Sequence, residues 1–327
     1  MINFRKLIKN FYHKTQLGKV LISPYMFYRD YIMSDTTYVK RSFKREMGYN
    51  INLNNPITLN EKMQWSKLYN DNTALHTQCA DKYAVREHVA SKIGQEYLVP
   101  LYFTTKDPAQ IVPDNLPKTP CIIKTNHDSS GGIIIKNLHN VNWKKIQKSL
   151  KERMSKNYYY ISKEQQYKDI VPRIIVEKLL LDKQGNVPND YKIHCFNGNP
   201  EFIGVDIDRF SNHTNNLYNI KWELLPFIWS VKDDDKKPRL ANGREIQKPK
   251  NLNKLLTLAK ALSEDFIYSR IDFYVVDEEI YFGEITFHHG GGVAHFIPKE
   301  WDTYYGNILK IPLNRNILPK KMHPVTY

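Results

Sequence analysis

The spacing of apolar and polar positions changes several times along the chain. In the first 32 residues Phe4, Leu7, Ile8 and Phe11 recur at helical intervals, with Lys6 and Lys9 off the stripe; Leu17, Val20, Leu21, Tyr25 and Phe27 continue the apolar series. This pattern predicts a basic helical arm, either lying on a membrane surface or packed on the main body. Thr58 followed by Glu61 has capping-box spacing and opens a helix to about Tyr69. A second helix is expected over 73–92, before Gly94. Pro100, Pro108, Pro113, Pro117 and Pro120 then punctuate short strands and loops.

From residue 121 the pattern becomes one of short apolar runs. Cys121–Lys124 and Ile133–Lys136 flank a polar, glycine-ended stretch, 125–132, which reads as a hairpin loop. A helix is expected over about 142–156 and another over Leu252–Leu262. Buried strands are expected at 173–181, 190–196, 201–207, 271–276 and 280–286, the last two joined by a turn at Asp277-Glu278. Residues 232–238 read as a solvated loop. Strands and helices alternate irregularly, with hairpins, which predicts α+β lobes with mostly antiparallel sheets and not one doubly wound parallel sheet.

Composition narrows the function classes. Aromatic residues make up 13% of the 327 residues and charged ones only 25%, which excludes global disorder. Cys79, Cys121 and Cys195 form no CxxC pair, so a disulfide scaffold is excluded and a reduced, intracellular setting is expected. No apolar run reaches the roughly 18–20 residues of a membrane-spanning helix, and the early lysines break any secretory signal. The formal net charge is +14, and residues 1–50 hold 10 Lys/Arg against 3 Asp/Glu, half of the whole excess. Such a surplus favours anionic partners. Deleting residues 1–45 is therefore expected to weaken binding to anionic vesicles while sparing the rest.

Four stretches carry candidate chemistry. The 125–132 loop lets backbone N–H groups approach phosphate oxygens, with Lys124 just before it, although it lacks the lysine of a Walker loop. Asp272 and Glu284 lie on two strands of one hairpin among Ile271, Phe273, Phe282 and Ile285. Two such carboxylates repel unless a cation resolves them, and Mg²⁺ commonly takes one or two carboxylates plus substrate phosphates; a structural ion-pair cluster with Arg270 and Lys192 is the alternative. Asp190 and Lys192 share one strand face by period-2 geometry, as do Asp206 and Asp208. The histidines lack HExxH spacing, no GxSxG is present, and no nucleic-acid-binding signature accompanies the charge.

The order of these motifs resembles the ATP-grasp superfamily and, within it, the TupA-like group linked to teichuronopeptide and bacterial surface-polysaccharide biosynthesis. The resemblance covers about residues 50–310. It rests on NPITLNEKMQWSKLY, ADKYAVREHV, CIIKTNHDSSGGIII, PRIIVEKLL, NDYKIHCFNGNPEFIGVDIDRF and SRIDFYVVDEEIYFGEITFHHGGG. It implies a basic arm (1–50), a pre-grasp region (51–118), a small lobe with the glycine-rich loop and adenine hinge (119–183) and a large lobe with the metal site (184–327). ATP and Mg²⁺ are the implied cofactors. Lys124, Lys82, Asp190 and Lys192 would meet the nucleotide, the loop residues Asn126, His127, Ser129, Ser130, Gly131 and Gly132 would cover its phosphates, and Glu177, Lys178 and Leu180 would hold the base. Asp272, Glu284 and Thr286 would hold the metal. Thr286 stands where the superfamily often has Asn, a better ligand. Arg270, with Lys192, would serve the transferred phosphoryl group. Asp206, Asp208, Arg209, His288, Gly290 and Gly291 would face the acyl substrate.

The activity so implied is carboxylate–amine ligation through an acylphosphate. The acid would be an acidic glycan or a lipid-linked precursor, joined to an amino acid or amine in the cytoplasm or at the inner membrane face. A kinase acting on a glycan precursor and a non-catalytic polysaccharide-binding scaffold are the competing readings.

Overall fold

The structure, a computed structural model, describes residues 11–313 except 13, 130, 140, 209–212, 234–236 and 241. Ser130, Arg209 and the first ten residues of the arm lie outside the described residues. Helix α1 (Gln16–Phe27), capped by the Thr15 hydroxyl, runs into one wide turn at Tyr28–Ile32. Helix α2 (Asp35–Met47) starts at Ser34 and stops at Gly48, whose φ of 86° is left-handed. Helix α3 (Leu59–Tyr69) carries the expected capping box between Thr58 and Glu61. The Glu61 carboxylate also accepts from the Ile57 and Asn52 N–H groups. Thr58→Ala, which removes one cap bond, is expected to lower thermal stability by about 1 kcal/mol in a melting experiment.

The helix expected over 73–92 is in fact two, α4 (Ala74–Ala80) and α5 (Val85–Lys92). Asp81 breaks it: its backbone is extended and its side chain accepts from the Tyr83 and Ala84 N–H groups, so the chain restarts a turn there. The break leaves Lys82 outside both helices, with its N–H on the Asn126 carbonyl at 3.1 Å.

Strands β1 (Leu101–Thr105), β2 (Cys121–Thr125) and β3 (Ile133–Ile135) precede α6 (Trp143–Met154), α7 (Tyr158–Ser162) and β4 (Ile174–Lys178). These strands form a four-stranded sheet of order β1-β4-β2-β3, with every pair antiparallel. Ile123, Ile174 and Val176 of this sheet pack with Leu150 of α6. Next come β5 (Asp190–Phe196), β6 (Asn199–Ile207), β7 (Thr214–Asn219), β8 (Ile228–Ser230), α8 (Leu252–Ser263), β9 (Tyr268–Val276), β10 (Glu279–Thr286), β11 (His295–Ile297) and α9 (Glu300–Ile308). The second sheet, β10-β9-β5-β6-β7, is also antiparallel throughout, and β8 pairs with β11 in a third. The expected α+β architecture is the one observed.

Strand period 2 divides the five-stranded sheet into two faces of opposite character. Ile193, Val205, Ile271, Phe273, Phe282 and Ile285 point to one side and pack against Leu255, Leu258 and Leu262 of α8. The other side carries Lys192, Asp272 and Glu284, which are cross-strand neighbours. A parallel bridge between Leu98 and Phe282 brings the edge of this sheet beside the lead-in to β1.

Candidate active site

The charged face begins with the β9–β10 hairpin. Its turn residues, Asp277 and Glu278, have φ of 50° and 72°, as a tight hairpin turn requires. From the turn inward the pairs run Glu279↔Val276 to Phe282↔Phe273, and regular counting would then set Gly283 opposite Asp272. A bulge at Gly283 inserts one extra residue, so Glu284 pairs with Asp272. Without it Glu284 would turn to the apolar side. A Cβ on Gly283 would meet the Asp272 carbonyl at 3.0 Å and the Tyr274 ring at 3.2 Å, so the bulge suits glycine.

Arg270 sits between the two carboxylates. Its Nη2 donates to Asp272 Oδ2 at 2.6 Å and to Glu284 Oε1 at 2.9 Å, and its Nε donates to Asp272 Oδ1 at 2.7 Å. Lys192 lies among three further contacts: a close pair with Asp190, Asp206 at 3.2 Å and Asp272 at 3.4 Å. Thr286 donates its hydroxyl to Glu284 at 3.2 Å. Burial pushes the Asp272 carboxyl up to about 6 in spite of Arg270 and Lys192. Burial would likewise raise Glu284, but Arg270, Lys82 and Lys192 bring it down to about 2. Burial opposes charge on Asp206 too, and Lys192 overcomes it, holding that carboxyl at about 2.

This donor set suits a divalent cation. Four carboxylates, Asp190, Asp206, Asp272 and Glu284, share two cations, Arg270 and Lys192. Oxygens of Asp272 and Glu284 already converge on a single cationic nitrogen. Among the described residues no three His, Cys, Asp or Glu side chains form an all-protein metal cage. Two carboxylates completed by phosphate oxygens would not need one.

The other candidate residues divide by location. Lys124 Nζ contacts Glu177 Oε2 at 2.9 Å, and Arg86, which no motif marks, contacts Glu177 Oε1 at 3.2 Å. Lys82 Nζ donates to the Asp128 carbonyl of the loop, and its charge acts on Glu284, so the loop, Lys82 and the β10 carboxylate lie near one another. Gly131 takes φ of 75° with open space about it, and its carbonyl accepts from Arg153 at 3.0 Å. The Tyr158 hydroxyl lies beside Ser129. Lys178 is exposed and Leu180 buried.

Several expectations need correction. Asn126 and His127 are buried with their polar atoms on protein partners. Asn126 Nδ2 donates to the Val171 carbonyl and its Oδ1 accepts from the Arg173 N–H, while His127 contacts the Arg153 carbonyl. They brace the loop from beneath. Asp208 does not share a face with Asp206: β6 ends at Ile207, Asp208 takes φ of 51°, and its half-exposed carboxylate lies 3.7 Å from Arg244. His288, expected to face substrate, is fully enclosed. It lies 2.9 Å from Asp71 and 3.3 Å from Glu164, and burial, which would neutralise it, is outweighed by these carboxylates, so its pKa is raised.

Gly290 and Gly291 have φ of 57° and 68°, and the Gly291 carbonyl is held by Gln64 at 2.8 Å and Lys67 at 2.7 Å. Beside Lys192 opens a cavity of about 420 Å³, whose lining includes Asp206, His213, Asn215, Trp229, Arg239 and Gly290. His289, which also lines it, contacts Arg270 Nη1 at 3.1 Å. Burial, then Arg270 and Lys192, lower its pKa to about 3, so its Nδ1 accepts from the guanidinium. His213, Trp229 and Arg239 come from irregular or very short segments, and only the sheet topology reveals that they meet.

Comparison with known proteins completes the picture. No curated protein sequence matches. Among solved structures, D-alanine–D-alanine ligase from Bacillus anthracis is 18% identical, with a TM-score of 0.38 over 78% of this chain and 83% of that one. The same enzyme complexed with ATP gives 13% and 0.36 over 64% of this chain and 55% of that one. L-amino acid ligase from Bacillus licheniformis is 14% identical, with a TM-score of 0.40 over 72% of this chain and 50% of that one. The chain thus spans about half the length of the last two structures. The sequence model of the TupA-like ATP-grasp family matches residues 61–310, more than half of the chain. With the hairpin carboxylates, the loop and the two antiparallel sheets in place, the chain belongs to the TupA-like ATP-grasp family.

Proposed function

We propose that this protein is an ATP-dependent carboxylate–amine ligase. The observation that carries the reading is the convergence of Asp272 and Glu284 on Arg270, with Lys192 beside them and the Lys82–loop contact nearby. Residues 119–183 act as the small lobe and 184–327 as the large lobe, with ATP between them. Lys82 and Lys124 meet its phosphates, and Glu177, Lys178 and the chain to Leu180 meet the base. Asp272 and Glu284, with Thr286 as a weaker third donor, hold Mg²⁺, which when bound supplies charge neutralisation at the phosphates.

Arg270 and Lys192 are positioned for a step in which negative charge accumulates. The γ-phosphoryl passes to a carboxylate oxygen of the acid, ADP leaves, and the acylphosphate is attacked by an amine, which displaces phosphate and forms an amide. Guanidinium and ammonium groups held in fixed places stabilise that charge without reorganising. The cavity beside Lys192 and Gly290 takes the acid. Its class is an acidic glycan or lipid-linked precursor bearing a uronic or amino-acid carboxylate, and the setting is bacterial surface-polysaccharide biosynthesis at the cytoplasmic membrane face. The expected result is ADP and phosphate release that requires both an acid and an amine. Release unaffected by every amine, or a stable phosphorylated glycan as end product, would reject ligation.

A further inference from the structure

Helix α1 presents an apolar stripe that no described part of the chain covers. Leu17, Val20, Leu21, Tyr25, Tyr28 and Ile32 recur at intervals of one, three or four residues along α1 and the wide turn after it. Their exposures are 61%, 69%, 63%, 56%, 44% and 62%. An apolar row of this length, left in water, marks an interaction surface.

The stripe is held in place at its root. Arg29 pairs with Asp30, the Asp30 carbonyl accepts from Lys163 Nζ at 2.7 Å, and the Tyr31 ring lies 4.6 Å from Tyr160. Just beyond, the Asp35 carboxylate accepts from Tyr159 and Gln165, and Tyr38 donates to the Ile161 carbonyl. The base of the arm is thus fastened to residues 159–165 while the shaft stands clear.

We infer that this face is a docking surface for an anionic lipid bilayer. The helix lies in the headgroup layer with Leu17, Val20, Leu21 and Tyr25 toward the acyl chains. Among the described residues no helix is long and apolar enough to span a membrane. Charge selects the partner: residues 1–50 carry 10 Lys/Arg against 3 Asp/Glu. A second copy docking here would bring two such basic segments together, Arg5, Lys6 and Lys9 being among the ten. A surface of anionic headgroups attracts them. The inference does not rest on the ligase reading.

The test is flotation of the full chain with vesicles of phosphatidylcholine alone and of phosphatidylcholine with phosphatidylglycerol. The wild type is expected to float with the anionic vesicles and to be released by added salt. Leu17→Ser, Val20→Ser and Leu21→Ser combined should weaken that binding at least about tenfold, with an unchanged melting temperature, because the three side chains are exposed. Equal binding by the variant overturns the proposal. So does equal binding to the neutral vesicles. A variant that loses a lipid-free dimer, or melts several degrees lower, would show that a second copy or the chain's own first residues cover the stripe, and would also overturn it.

Discussion

Glu284→Gln should lower ADP release by at least about 100-fold while leaving the protein folded. The side chain is 42% exposed, so the substitution creates no enclosed orphan, and Asp272 still pairs with Arg270 through two bonds. What is lost is one of two carboxylates facing the same point. The loss should appear in turnover at saturating ATP and in the Mg²⁺ dependence of nucleotide binding, with the melting temperature only modestly lowered by loss of the Arg270 contact. Wild-type turnover in this variant would leave Asp272 and Arg270 as an ion pair of structural use and return the protein to the scaffold reading.

Lys192→Met should have the largest effect on stability. The methionine fills similar space but leaves Asp190, Asp206 and Asp272 without their shared ammonium in a buried place. Removing one partner from such a cluster costs about 3–5 kcal/mol, a large part of the stability of an ordinary domain. The pH dependence identifies the cause. Lys192 outweighs burial to hold Asp206 at about 2, below its unfolded value near 4. That contribution is present above pH 4 and is lost as pH falls through about 2. The wild-type advantage in urea midpoint should be widest near neutrality and narrow in that acid range. A gap that stays constant would point to packing instead.

How far the sequence could be read depended on what fixes each element. The hairpin strands, the Thr58–Glu61 cap and the glycine-ended loop are local, set by periodicity and turn chemistry within a few residues. The break at Asp81 is local too, but its signal is a single side-chain cap inside an otherwise helical pattern. Strands β8 and β11 have three residues each, and β7 is the polar run TNNLYN, so none carries an alternation to detect. The candidate site divides in the same way. The meeting of Asp272, Glu284, Arg270 and Lys192 is legible in the sequence because charges in apolar strands are conspicuous. The placement of Arg86, His213, Trp229 and Arg239 is not, because it arises from contacts distant in sequence. The burial of His288 and Asn126 is not legible either, because polarity in a motif does not reveal which way a side chain turns.

The extra residue at Gly283 has a consequence for engineering. The meeting of two carboxylates depends on an odd-numbered insertion in one strand, so chain length between Asp272 and Glu284, with glycine kept at 283, matters more than the identity of the other residues in it. Libraries that randomise Tyr274 or Tyr281 at fixed length should keep the alignment. A one-residue deletion at 283 would send the acidic group into the oily layer, however conservative the remaining letters.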